Sequence, residues 1–391
     1  MKIALGTPIR RKIYLAVFSF LFFGFLLFIP AELYFRKQNI PIFESGNRSY
    51  DPNYGWLLEK SIRYTYDVPG EYRDITIETN SLGLRDTEHL LEKAAGTKRI
   101  AFMGDSFGEA FQVNLAQTYW SLTEKLLDHR GENSLQTARP AWESLNFGIG
   151  DYGNLQELLL LKKEALRFHP DYVVLEIFPF NDICNNSLPM AYLCSPQDSF
   201  RPYLKPGDGF QSITYISPLR EFLRQNSYFF RRVLPLLPSF KEKTFFNPGS
   251  WKKTLASNSD FLQYLGSTYS PPELQPSHMQ TGWKATEKIL DQFVKLAAQE
   301  KFKFVVIIIP SEYELWSNFE TLGIRQRMNP HYPENRLAEY LNKKSVTTIK
   351  LHDLFLKNKE RVMPYIDGHL NPNGHQVIAD ELAKVIGEME K

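Results

Sequence analysis

A strong excess of charge of either sign is missing from this chain. Its 46 Lys and Arg against 44 Asp and Glu leave a formal net charge of +2, which gives no reason to expect a nucleic-acid partner or an acidic substrate. Internal repeats and long low-complexity tracts are absent too. Cysteine is scarce, with only Cys184 and Cys194. Their spacing is no metal signature and no histidine cluster adjoins them, so no metal or cofactor is implied. An oxidising compartment would let them pair and close a short loop; the bland alternative is two partly buried thiols. We expect the disulfide.

Uncharged hydrophobic runs are rare as well, and the one long run lies near the N-terminus. Ile13 to Pro30, "IYLAVFSFLFFGFLLFIP", carries no charge. As a helix it would span roughly 27 Å, near the ~30 Å hydrocarbon core of a bilayer. Lys2, Arg10, Arg11 and Lys12 precede it, while Arg36 and Lys37 follow more thinly. The positive-inside rule keeps residues 1–12 cytoplasmic and exports the rest. A cleaved signal peptide or a buried core helix would share this composition. The segment is long for a signal's apolar core and no A-x-A site follows, so we read residues 13–30 as an uncleaved single-pass anchor.

What is abundant is apolar and aromatic material, 43% and 14% of 391 residues, enough for a large core. Residues 31–97 are polar and turn-rich, with strand-like alternation at "RDITIETN", and read as a stalk and a small β-rich segment. From residue 98 strands and helices alternate. "RIAFM", "ESLNF", "DYVVLEIF", "FKFVVIIIP" and "VTTIKL" read as strands with amphipathic helices between them. That rhythm implies an α/β fold: a three-layer α/β/α sandwich around a parallel sheet. An insertion at about 187–280, rich in Pro, Phe and Tyr, interrupts the rhythm. It reads as an excursion with its own small core, or as a lid or membrane-facing surface.

The chemistry starts at "KRIAFMGDSFGEAFQV", where a buried strand ends in a Gly-Asp-Ser corner at Gly104, Asp105 and Ser106. A serine becomes a nucleophile only when a base takes its proton. "YIDGHLNPNGHQVIA" supplies Asp367 and His369 around Gly368. Asp367 would hold the imidazole and His369 would accept the Ser106 proton. His375 is a rival base and Asp353, in "LHDLF", a rival acid. Oxyanion donors would come from the loops "NFGIGDYG" and "FPFND": the Ser106 N–H, a backbone N–H in the glycine-rich loop, and the Asn181 amide. Each loop taken alone is an ordinary βα turn. Together they fall at the carboxyl ends of strands, which converge on one crevice in such sheets.

"GDSF" (104–107), "NFGIGDYG" (146–153), "FND" (180–182) and "DGH" (367–369) stand in the order of the four blocks of SGNH (GDSL-type) hydrolases, which this chain resembles from residue 98 onward, the insertion apart. The resemblance implies Ser106 as nucleophile, Asn181 as an oxyanion donor, and Asp367 and His369 as the rest of a triad. Two positions depart from the pattern. The block-two glycine falls at Asp151, with Gly150 just before it, so either residue could supply the backbone N–H. The last block is D-x-H where D-x-x-H is usual, a spacing also found in alginate-type O-acetyltransferases.

Three readings follow. The first is an exported, membrane-anchored serine esterase or deacylase acting on an acylated carbohydrate or lipid. The second is an O-acyltransferase modifying a cell-surface polysaccharide. The third is an inactive SGNH-fold binding component of the envelope. No protein partner is legible.

Overall fold

A computed structural model describes residues 8–38, 47–67, 74–129, 141–187, 201–204, 210–214, 219, 222–223, 226–233, 268–311, 314–315, 328–358, 365–366 and 368–391. Asp367 and Cys194 therefore lie outside the described residues, as does most of the insertion. The chain divides into two units: residues 1–48 with 215–248, and residues 49–214 with 249–391.

The smaller unit is built on helix α1, Pro8–Lys37. Within it, Tyr14–Lys37 contains an 18-residue stretch with a mean hydropathy of 2.2, none of it buried. It is long and apolar enough to cross a membrane. At the end of the apolar stretch, the Glu32 carboxylate accepts bonds from Ser227 Oγ (2.7 Å), Tyr228 N (3.1 Å) and Phe229 N (2.9 Å). Tyr228 and Phe229 open a short helix, Tyr228–Val233. Phe28 packs edge-on against Phe229, with ring centroids 5.3 Å apart.

The larger unit centres on a five-stranded, all-parallel sheet. We label its strands βA (Thr97–Met103), βB (Ala141–Asn146), βC (Tyr172–Ile177), βD (Lys303–Ile308) and βE (Thr347–Lys350). Their spatial order is βE-βD-βC-βA-βB. After βA the chain first adds βB on one side and then crosses to lay βC on the other. The direction of winding thus reverses beside βA, and the ligand crevice of an open parallel sheet lies outside that point.

Alternation within each strand decides which helix it meets. Ile100, Phe102, Tyr172, Val174, Val305 and Ile307 share one core with Tyr119, Trp120 and Leu127 and with Ile378, Leu382 and Ile386. Those helices are Tyr119–His129 and the C-terminal helix Pro372–Met389. On the opposite face, Phe304 stacks on Phe293 of helix Ser277–Glu300 at 5.5 Å. The three layers expected from the strand and helix rhythm are present.

Residues 49–97 belong to this larger unit rather than standing apart as a stalk. The expected strand at "RDITIETN" is Ile75–Glu78, paired antiparallel with Arg63–Tyr66. Buried charge ties the segment down. Arg85 reaches the carbonyls of Glu109 (2.9 Å), Ala110 and Val113 (2.5 Å). Arg99 donates to the carbonyls of Leu90, Leu91 and Phe168 and to the Glu143 carboxylate.

Candidate active site

βA ends at Met103, and the corner that follows is built around a buried acid. A Cβ on Gly104 would sit 2.9 Å from the Glu176 carboxyl, so only glycine leaves room for it. Asp105 caps the short helix Ser106–Glu109, its Oδ1 accepting from Phe107 N at 3.0 Å. The next glycines serve close approach. A Cβ on Gly148 would lie 2.6 Å from the Gly108 carbonyl carbon, so the loop after βB packs backbone to backbone on the serine's helix.

Ser106 Oγ lies 2.9 Å from His369 Nε2, across 263 positions of sequence. Both residues are half-buried, open to a reactant. His369 sits on a two-residue strand, His369–Leu370, paired antiparallel with Tyr365–Ile366. Gly368 fills the connecting turn at φ +87°, a backbone that glycine adopts without strain. Phe107 supports the imidazole at 5.1 Å between ring centroids, and Phe178 backs Phe107 at 4.6 Å.

The rival base is elsewhere engaged. His375 is buried in the first turn of the C-terminal helix. Its Nδ1 accepts the Tyr119 backbone N–H at 3.1 Å, and its ring stacks on Tyr119. Burial, followed by the Arg85 charge, pushes its pKa down to about 3. The rival acid Asp353 is exposed and meets His352 Nδ1 at 3.3 Å.

Asn181 lies on helix Pro179–Asn185, just past βC, and its Nδ2 donates to the Asp105 carboxylate. One amide proton is thereby fixed and a second remains. Gly150 N–H donates to the buried Glu109 carboxylate. That bond takes up the donor expected of Gly150, which in this structure faces an internal acid. Asp151 follows at φ +66°, in the left-handed region, and is exposed. A glycine would fit that backbone more easily, which accounts for the glycine of the sequence pattern. Asp151→Gly should therefore raise stability by about 0.5–1 kcal/mol, since Asp tolerates this region only in part. Chemical denaturation of the two proteins would read the change.

Sequence reasoning missed the support beneath the corner. Glu176 of βC is fully buried. Its Oε2 accepts from Tyr119 OH at 2.6 Å and its Oε1 faces Asp105 N at 3.4 Å. Burial, then the Asp105 charge, pushes its pKa well above the usual carboxylate range. The folded state thus holds a proton that the unfolded chain releases above about pH 4.5. A raised carboxyl pKa costs stability as pH climbs from the unfolded value towards the folded one. Glu176→Gln should remove that cost. We expect a Tm above wild type at pH 8, about 2 °C for each ~1 kcal/mol in a chain this size. The difference should close near pH 4. No signal in "DYVVLEIF" marks Glu176 apart from a charge inside an apolar strand.

Cys184 is buried and disulfide-bonded, and no described cysteine is free. Its bond lies in the helix that carries Asn181.

The chain is similar in fold to solved esterases. An acetyl xylan esterase, AlAXEase, is 13% identical with a TM-score of 0.36, covering 74% of this chain and 99% of its own. A catalytic mutant of Axe2, an acetylxylan esterase from Geobacillus stearothermophilus, is 11% identical at a TM-score of 0.39, covering 75% and 97%. A protein described as lipolytic and of the G-D-S-L family, from Desulfitobacterium hafniense, is 8% identical at 0.36, covering 74% and 99%. No family model and no curated protein matches. Likeness at this distance carries no argument about activity, which rests on the side chains.

Proposed function

We propose that the chain is a membrane-anchored serine esterase of the SGNH type, with its catalytic domain outside the cytoplasm. The observation that carries this reading is the 2.9 Å approach of Ser106 Oγ to His369 Nε2 beside the point where the sheet's winding reverses. His369 takes the hydroxyl proton as Ser106 Oγ bonds to the ester carbonyl carbon. The same imidazolium then protonates the departing alkoxide. Water repeats the sequence on the acyl-enzyme, releasing the acid and restoring Ser106. Asp367 is assigned to hold the imidazole tautomer. The oxyanion would be met by the Ser106 N–H, the free proton of Asn181 Nδ2 and the N–H of Asp151.

Export is supported by the apolar helix Tyr14–Lys37 and by the disulfide at Cys184, since disulfides persist in oxidising compartments. The substrate class we assign is an acylated carbohydrate or lipid. The D-x-H spacing keeps an O-acyltransferase as the second reading, with a sugar hydroxyl replacing water. An inactive binding component would not need the serine–imidazole contact.

A fluorophosphonate probe on the full chain in detergent tests the reading. We expect one covalent adduct, mapped to Ser106. An unlabelled protein that is fully folded would overturn it. Transfer of acetyl from an activated ester to an added sugar, in preference to water, would select the transferase.

A further inference from the structure

A second cluster of chemically capable side chains lies at the outer edge of the same sheet. βD leads through a connection to the helix Tyr332–Asn342, and that helix leads into βE. In such a crossover the helix begins, and the following strand ends, at the carboxyl end of the sheet. His331 immediately precedes the helix, and His352 and Asp353 follow βE, so the topology brings the three together. One donor atom from each lies within 4.8 Å of the other two. The two imidazoles meet edge to face, with centroids 4.1 Å apart.

Among the described residues these rings have few polar partners. The His352 side chain is 3% exposed, yet its Nε2 has no hydrogen-bond partner among the described residues. A buried polar atom left in that state destabilises the fold unless a ligand satisfies it. Neither ring nitrogen of His331 bonds to a described residue; its polar contact is through the backbone N–H, to Asn329 Oδ1 at 3.0 Å. Among the described residues the carboxylate of Asp353 reaches only His352 Nδ1, at 3.3 Å, and its side chain is largely exposed.

We infer that His331, His352 and Asp353 form a binding site for a divalent transition metal of the zinc type. Two imidazoles and one carboxylate suit Zn²⁺, Co²⁺ or Ni²⁺, whereas Mg²⁺ and Ca²⁺ select sets made of oxygen. Three protein donors leave a coordination position for water. Tetrahedral Zn²⁺, with bonds near 2.0–2.1 Å, wants its donors roughly 3.4 Å apart. The cluster must therefore close by about an ångström or a little more. The exposed Asp353 and half-buried His331 have the freedom to do this, while His352 is held in place. Its backbone N–H donates to the buried Glu334 carboxylate at 3.2 Å.

Charge around the cluster acts in both directions. Lys350 stands nearby and opposes a cation, but its ammonium is 4.0 Å from Glu334 Oε2 and donates to Asn335 Oδ1 at 3.1 Å. The helix starting at Tyr332 also presents its positive end, which adds a small unfavourable contribution. Asp353 and Glu334 supply negative charge against both. βE lies three strands from βA, which at about 4.8 Å per strand puts the cluster roughly 14 Å from the nucleophile's strand. The metal would pin the start of a helix to the turn after βE and take no part in acyl transfer. No sequence motif announces the site, because His331 lies a whole helix and strand before His352.

The test uses the full chain in detergent, stripped with EDTA and dialysed. Calorimetry with Zn²⁺ should show one stoichiometric site, and Co²⁺ should give visible absorption of a tetrahedral nitrogen–oxygen complex. Zn²⁺ should raise Tm, as a ligand of the native state does, and Mg²⁺ should not. His331→Ala and Asp353→Asn should each weaken binding about tenfold or more while leaving the metal-free Tm near wild type. These two are chosen because loss of the buried His352 could disturb folding. Ester hydrolysis by the stripped protein should persist. Equal Zn²⁺ binding by wild type and the His331→Ala/Asp353→Asn double variant would overturn the site. Hydrolysis that requires added Zn²⁺ would overturn its separation from acyl transfer.

Discussion

Ser106→Ala should abolish hydrolysis of a small activated ester, with a fall in kcat on the order of 10⁴-fold or more. The alanine deletes the hydroxyl that lies 2.9 Å from His369 Nε2 and removes the covalent route with it. Binding and oxyanion stabilisation would survive, so residual turnover above water is expected. The corner itself should be undisturbed. Its conformation depends on the Asp105 cap, the cavity filled by Glu176 and the Gly108–Gly148 contact, none of which uses the serine hydroxyl. An unchanged melting temperature should therefore accompany the loss. Wild-type turnover in the variant would remove Ser106 from the reaction.

The two histidines of the C-terminal segment should separate cleanly. His369→Ala should lower kcat by a factor comparable to the serine variant, because an unactivated hydroxyl is a poor nucleophile at neutral pH. His375→Ala should do something different. It leaves the Tyr119 N–H without its acceptor and opens a gap beneath a stacked ring, so it should cost about 2–3 kcal/mol of stability. Its kcat per folded molecule should stay close to wild type. His375 is also held neutral by burial, with a pKa near 3, so it cannot account for a titration near neutrality. A protonated imidazole cannot accept the serine proton, so wild-type activity should fall on acidification. A kcat profile in both variants, with thermal unfolding alongside, decides the matter. Retained turnover in His369→Ala with loss in His375→Ala would reassign the base.

The parts of this molecule legible in its sequence are those with short-range causes. Strand runs such as "DYVVLEIF" are apolar almost throughout because both faces of a central strand are covered, and the strand Tyr172–Ile177 lies where that pattern places it. The serine corner is local too, since one glycine, one cap and one hydroxyl make it. What escaped notice depends on contacts across long sequence separations. Arg85 reads as one more charge in a polar stretch, and only folding shows that it grips three carbonyls around the serine's helix. Glu109 gave no hint that it would engage the Gly150 amide, so the choice between Gly150 and Asp151 as donor stayed open. For residues 31–97, which read as a stalk and a small β-rich segment, the grouping of 49–97 with the larger unit was hidden for a related reason. Turn-rich, polar sequence looks solvated until buried arginines draw it onto a core.

The 263 positions between Ser106 and His369 also set an order of events in the life of each molecule. The sheet needs βC, βD and the final helix before its middle is covered on both faces, and the hairpin that carries the imidazole is synthesised long after the serine. Parallel pairings between distant segments are slow to form, since each must first close a long loop. A nascent chain therefore displays its serine through the synthesis of those 263 positions without the proposed base. On the proposed mechanism, a copy that stops short of His369 has a serine and no base, and should be silent.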